Sequence, residues 1–294
     1  MDIIRHKYVF LGFSAALVLA SIAALSVWGL RLGIDFTGGS LLDVAFEKER
    51  PSVEALHETL SSLELGTVTI QPAGERNMLL RFRHVEEAVH QNILSRLSEL
   101  APVQEKRFDT IGPTIGKELK TRSAIALIIA AAAIILYIAW AFRAVSKPVA
   151  SWKYGIAAII ALVHDVVIPT GIFSFLGHFY DVEVDALFIT ALLTILGFSV
   201  HDTIVVFDRI REHLRMAKGR EAFVDILNRS VYETVTRSIN TSLTVLVVLV
   251  AIALAGGATT QFFAVALILG IVFGTYSSIF IATPLLTFFI RRNQ

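Results

Sequence analysis

The chain has 294 residues, 55% of them hydrophobic and 17% charged, with a mean hydropathy of +0.67, too apolar for an ordinary water-soluble globule. A net charge of +1 gives no general attraction to nucleic acid. There is no cysteine, so disulfides and thiolate chemistry are excluded and any water-exposed part must be held by its core alone.

The apolar residues come in six blocks: Val9–Leu30, Ala124–Phe142, Tyr154–Leu176, Ala186–Phe207, Ile239–Ala255 and Phe262–Ile290. A helix needs about 20 apolar residues to cross about 30 Å of hydrocarbon, so the blocks predict six transmembrane helices. The first block is longer than the roughly 7–15 residues of a cleavable signal and is expected to be an uncleaved anchor. Three regions follow: 1–30, 31–122 and 123–294.

Residues 31–122 are ordinary in composition, with mixed charges and short apolar alternations. Ser40–Phe46 has strand character, and Val53–Leu63 reads as a helix with Ser52 as its N-cap. Thr67–Gln71 and Met78–Phe82 are expected strands, separated by a Pro-Ala-Gly turn at 72–74. Val85, Val89, Ile93, Leu97 and Leu100 recur at helical spacing, and Val103–Phe108 is a last strand. The order β-α-β-β-α-β is that of a small ferredoxin-like α+β domain.

Ionisable groups inside spanning helices are costly, by about 2.5–3.5 kcal/mol even on lenient scales, so each needs a reason. The third block carries His164-Asp165, with Pro169 four residues on. Proline cannot donate to the carbonyl of residue 165, which leaves two readings: a water held for proton passage, or a simple bend. The fourth block carries His201-Asp202, and Asp202 lies about 9 Å deeper than Asp208 at the helix edge. Ser199, Asp202 and Arg209 share one helix face. Asp202 is either a polar contact between helices or a proton site whose ionisation follows a moving cation. Arg237, at the edge of the short fifth block, is the candidate cation, with Glu233 as its rival partner one turn away. The His-Asp pairs are poor chelates, because neighbouring helix positions point about 100° apart, and no metal is expected. No G-x-S-x-G, HExxH or P-loop motif is present, and no enzyme activity is expected. Gly270 and Gly274 in the sixth block form a GxxxG face extended by Ser277 and Ser278, which permits close helix packing.

Lys and Arg collect in loops that face the cytoplasm. Arg5 and Lys7 precede the first helix; Arg143, Lys147 and Lys153 join the second and third. Arg209, Arg211, Arg215, Lys218, Arg220 and Arg229 join the fourth and fifth, and Arg291 and Arg292 follow the last. The loops His178–Asp185 and Gly256–Gln261 carry none. Both termini are therefore expected in the cytoplasm, and residues 31–122 on the far side.

Four stretches carry a resemblance: GIDFTGGS at 33–40, GFSVHDTIVVFDRIRE at 197–212, NRSVYETVTRSINTS at 228–242 and GTYSSIFIATPLL at 274–286. In order and spacing they resemble the SecF family of bacterial SecD–SecF protein-export subunits, a branch of the resistance-nodulation-division (RND) superfamily. The resemblance implies a bacterial inner-membrane accessory to the Sec translocon channel that uses the proton-motive force to help move unfolded preproteins outward. It implies a SecD-like six-helix partner and no cofactor beyond protons. It assigns the proton pathway to Asp202 and Arg237, and a further Asp to the partner; Asp165, from the residue reading above, and His201 are secondary candidates. The family usually has Asn where this chain has His201, which leaves open whether His201 joins the relay. Asp35, Gly38 and Gly39 belong to the family's turn signature, and the two glycines let the chain turn tightly into the first strand. An efflux component of the same superfamily and a purely structural scaffold are the rival readings.

Overall fold

The computed structural model describes residues 3–141, 150–217 and 220–289. Phe142, Arg143, Lys147, Lys218, Ile290, Arg291 and Arg292 lie outside them. The chain forms two compact units, residues 32–124 in one and residues 1–31 with 125–294 in the other.

Residues 32–124 open with a single helical turn, α1, at Ile34–Thr37, then follow β1 (Gly39–Phe46), α2 (Val53–Leu60), β2 (Thr69–Ala73), β3 (Asn77–Phe82), α3 (Glu87–Leu100) and β4 (Val103–Ile111). The sheet order is β2-β3-β1-β4 with every pair antiparallel, which is the ferredoxin-like arrangement. Strand alternation sorts the faces. Leu42, Val44 and Phe46 of β1 and Met78, Leu80 and Phe82 of β3 turn to a core shared with Leu56, Leu60, Ile93 and Leu97 of the helices. Ser52 caps α2 as expected, its hydroxyl accepting the Ala55 amide at 3.2 Å.

Several boundaries differ from the sequence expectation: β2 runs Thr69–Ala73 rather than Thr67–Gln71, β4 extends to Ile111 rather than Phe108, and α2 ends at Leu60 rather than Leu63. The turn lies at Gly74–Arg76 rather than 72–74, and Pro72 sits inside β2 opposite Met78. β2 is an edge strand, where a residue without an N–H is tolerated. Gly74, at φ +74°, supplies the left-handed turn residue instead. Val85 precedes α3 rather than opening it; its amide donates to Ser40 Oγ at 3.3 Å.

The Gly38-Gly39 pair has a steric as well as a conformational cause. Both residues have positive φ, +74° and +132°. A Cβ on Gly38 would lie 2.7 Å from Pro113 Cα, and one on Gly39 would lie 2.8 Å from the Phe82 carbonyl oxygen. Asp35 sits in the first turn of α1, just before this crossing.

The other unit is built from six helices long and apolar enough to span a membrane. A single-turn 3-10 segment at Ile4–His6 leads into the first, Lys7–Val27. The second is α4 (Pro113–Ala141). α5 (Ser151–Tyr180), α6 (Ala186–Ala217), α7 (Phe223–Ala255) and α8 (Ala258–Ser277) follow. α8 opens into a π-helical segment at Ser278–Ala282 and ends in short turns reaching Phe289. α5, α6 and the last span are buried over half or more of their most apolar stretch and form the centre; the others surround them. Exposed Trp140 and Trp152 mark one end of the bundle and Trp28, Phe179 and Tyr180 the other, as interfacial belts do. α5 remains helical through Pro169. The GxxxG face packs against α6 so closely that a Cβ on Gly270 would fall 2.1 Å from Ile195 Cγ1. The helix holding Arg237 begins well before its apolar run, so that residue lies inside α7 rather than at its edge.

Asp43 on β1 offers a stability test. Burial pushes its carboxyl above the usual carboxylate range, with Arg107 and Lys106 opposing, and its Oδ1 is buried without a hydrogen bond. A proton held more tightly in the folded state stabilises at low pH, and that contribution is lost as pH rises through the folded value. Asp43→Asn should therefore strengthen hydrogen-exchange protection of β1 and β3 in the full-length protein at pH 7, with the gain shrinking as the pH is lowered toward about 4. Weaker protection of the variant at neutral pH would contradict this.

Candidate functional site: two buried carboxyls in the helix bundle

α5, α6 and the last span each bring small polar side chains to the middle of the unit. Asp165 of α5 is fully buried, and Asp202 of α6 is 8% exposed. Hydrogen-bonding capacity buried in an apolar bundle must be met by neighbours. Asp165 Oδ1 lies 2.8 Å from His164 Nδ1; its Oδ2 accepts Ser277 Oγ at 2.6 Å and the Ser199 hydroxyl. Asp202 accepts the Ser238 hydroxyl on Oδ1 and Ser278 Oγ on Oδ2 at 2.6 Å.

The geometry follows from helix periodicity. Ser199 and Asp202 are three apart on α6 and share a face, so one helix contributes to both clusters. Ser277 and Ser278 are adjacent and point about 100° apart, so one reaches the carboxyl on α5 and the other the carboxyl on α6. The π-helical turn begins at Ser278, and Thr283 Oγ1 donates back to the Ser278 carbonyl at 3.1 Å. Such wide turns free local backbone geometry and recur at functional sites. A hydroxyl pair, Ser242 with Thr275, at 2.5 Å, joins α7 to α8. On the α5 side, Tyr276 donates to the Phe10 carbonyl at 3.2 Å and lies beside the His164 ring.

The predicted relay residues are divided by the fold. Asp165 and Asp202 are inside, linked through consecutive serines of the last span. Arg237 and His201 are exposed. The expected contact between Asp202 and Arg237 is not made; Ser238, the residue after Arg237, faces Asp202, and Arg237 is turned outward by the same 100° step. Among the described residues no acidic side chain pairs with Arg237. Glu233 instead binds Arg209 through Nε at 2.6 Å and Arg229 through Nε at 3.3 Å. Asp35, Gly38 and Gly39 belong to the other unit. Among the described residues no three potential metal ligands converge.

Ser238, Ser242 and Thr275 were not singled out by sequence. The available signal was the pair of hydroxyl residues four apart on one helix face, Ser238 and Ser242, beside a charged helix. Chemically, the arrangement offers two carboxyls that can gain or lose a proton while hydroxyls reorient between donating and accepting.

Residues 92–292 match the family model described as the C-terminal region of the protein export membrane protein SecD/SecF, and residues 24–49 match the SecD/SecF GG motif. A protein translocase subunit SecF from Thermobaculum terrenum is 42% identical, over 97% of this chain and 93% of its own. The SecF subunit from Vibrio alginolyticus is 38% identical, over 93% of this chain and 84% of its own. The crystal structure of SecDF, a translocon-associated membrane protein from Thermus thermophilus, superposes with a TM-score of 0.85 at 29% identity. That match covers 98% of this chain but 38% of the SecDF chain. A SecDF structure in a super-membrane-facing form matches at the same identity with a TM-score of 0.68.

Removing a donor tests the hydroxyl cradle. Ser277→Ala leaves Asp165 Oδ2 short of one hydrogen bond and should cost about 1–3 kcal/mol of stability, read as a lower Tm of the detergent-solubilised protein. An unchanged Tm would show that the bond contributes nothing.

Proposed function

The chain belongs to the SecD/SecF family of protein-export membrane proteins, and from that premise we propose that it couples the proton-motive force to outward movement of unfolded preproteins beside the Sec channel. The observation that carries this reading is the Asp202 carboxyl, buried in the bundle and held by one hydroxyl from α7 and one from the last span. No Lys or Arg reaches it among the described residues, so its charge balance is set by proton binding and not by a fixed partner. Protonation changes which way the Ser238 and Ser278 hydroxyls must point, and so changes what holds α6 against α7 and the last span.

Arg237 takes a different role from an internal counter-ion. Exposed on α7 one residue before Ser238, it would meet a carboxylate of a SecD-like six-helix half. Asp202 would then sense that partner through Ser238. A proton crossing fully gains about 2.3 kcal/mol per 100 mV, enough to bias a conformational equilibrium of a few kcal/mol.

The orientation is proposed with both termini in the cytoplasm and residues 32–124 outside the bacterial inner membrane. Support comes from the charged α6–α7 connection and from the loop after α5, which carries Asp181, Glu183 and Asp185 and no Lys or Arg. The natural absence of cysteine makes this testable. Glu75→Cys should react with a membrane-impermeant maleimide added outside intact spheroplasts, and Arg215→Cys only after lysis. The reverse pattern would invert the topology.

Asp202→Asn keeps the size and shape of the side chain but cannot take up or release a proton, and one of its two acceptor oxygens becomes a donor, as in the protonated acid. Preprotein export into vesicles by the complex should lose its stimulation by the proton-motive force, while the subunit still co-purifies with its partner. Full stimulation in the variant would refute the coupling.

A further inference from the structure

Beyond Asp202 the same face of α7 continues. Ser230, Thr234, Ser238 and Ser242 recur at four-residue intervals, and all four are buried. Four residues rise about 6 Å, so the row spans about 18 Å along the helix. Small hydroxyl residues on a helix interface are ordinarily packing elements. What distinguishes this row is the side chain at its end. His213 of α6 is 2% exposed, its Nδ1 lies 2.8 Å from Ser230 Oγ, and its Nε2 is buried without a hydrogen-bond partner. That nitrogen points at Glu233 Oε2, 3.3 Å away, and the Glu233 side chain is one-third exposed.

We infer that His213 and the hydroxyl row of α7 form the route by which a proton leaves Asp202 for the cytoplasmic end of the bundle, an inference that rests on the proton-coupled reading above. Ser238 is the first rung and touches the Asp202 carboxyl. Thr234 is the second; its hydroxyl donates to the Ser230 carbonyl at 2.9 Å. Ser230 is the third and touches the imidazole. Rungs about 6 Å apart are a spacing that one bridging water spans. Ser230 and Thr234 donate to the Ile226 and Ser230 carbonyls, at 2.7 and 2.9 Å. As each turns from its carbonyl it accepts a proton on a lone pair and passes its own onward, so no charge accumulates on the row. The imidazole then takes a proton at Nδ1 and releases one from Nε2 to Glu233. One proton enters and one leaves, and the ring resets by exchanging its tautomers.

The charges around His213 suit a transfer point. Glu233 faces it from α7 together with Arg229, and Arg209 and Glu212 face it from its own helix. Arg209 and Arg229 both hold Glu233, which fixes that carboxylate in front of Nε2. Glu221 draws Arg229 toward the loop at 3.5 Å. The group at the end of the row is thus the one side chain there with two ring nitrogens facing opposite ways, one to the row and one to an exposed acceptor.

The test is proton flux in vesicles carrying the complex with its partner subunit, comparing Asp202→Asn, His213→Phe, Thr234→Val and Thr234→Ser. Removing a proton-transfer group should slow flux by about a hundredfold in His213→Phe and Thr234→Val, while Thr234→Ser stays near the natural protein. Wild-type flux in both His213→Phe and Thr234→Val, with Asp202→Asn inactive, would overturn the route and leave the role of Asp202 standing. Absence of flux in the natural complex, or full flux in Asp202→Asn, would overturn the proton-coupled reading and the route with it. If His213→Phe fails to assemble, the Thr234→Val and Thr234→Ser pair decides, since both keep a branched or hydroxyl-bearing side chain of similar size at a site away from the ring.

Discussion

A carboxyl group in the hydrocarbon region must find all its hydrogen bonds within the protein, and that requirement organises the centre of this bundle. Asp165 and Asp202 sit on neighbouring helices, and the last span supplies a serine to each from consecutive positions. Gly270 lets that span approach α6 closely enough to bring the serines within reach, because any side chain there would collide with Ile195. The π-helical turn starts at the second serine. Packing and polar satisfaction are therefore one arrangement: loosening the crossing would strand both carboxyls.

This arrangement also shapes the proposed proton coupling. An ion pair between Asp202 and Arg237 would make release of a guanidinium the event that follows protonation. Hydroxyl partners make it a reorientation of Ser238 and Ser278, which are donors to an ionised carboxylate and either donors or acceptors to a protonated one. Reorienting hydroxyls cost little, while their carboxyl partner carries the change in charge. Under the proposed coupling, Arg237, exposed one residue from Ser238, would face a second six-helix half rather than Asp202.

Much of this was legible in the sequence. Six apolar blocks gave six spanning helices because block length is a strong signal, and the β-α-β-β-α-β pattern appeared in the sheet as the order β2-β3-β1-β4. The intramembrane aspartates stood out by their cost. Less visible was which neighbour met them, because the hundred-degree step between adjacent residues decides whether Arg237 or Ser238 faces inward. Pro72 misled the turn assignment, since proline marks a turn locally but is tolerated on an edge strand, and edge status is a property of the whole sheet. His213 lay in a charged run that reads as a solvated face. Only the packing of α6 on α7 shows that one histidine of that run is buried.

The central claim is that the Asp202 carboxyl changes its protonation state within the assembled bundle. Infrared difference spectra of the reconstituted complex between acidic and alkaline buffer address it directly. The account predicts a protonated-carboxyl band that appears on acidification and disappears in Asp202→Asn. Identical difference spectra for the natural protein and the variant would contradict it.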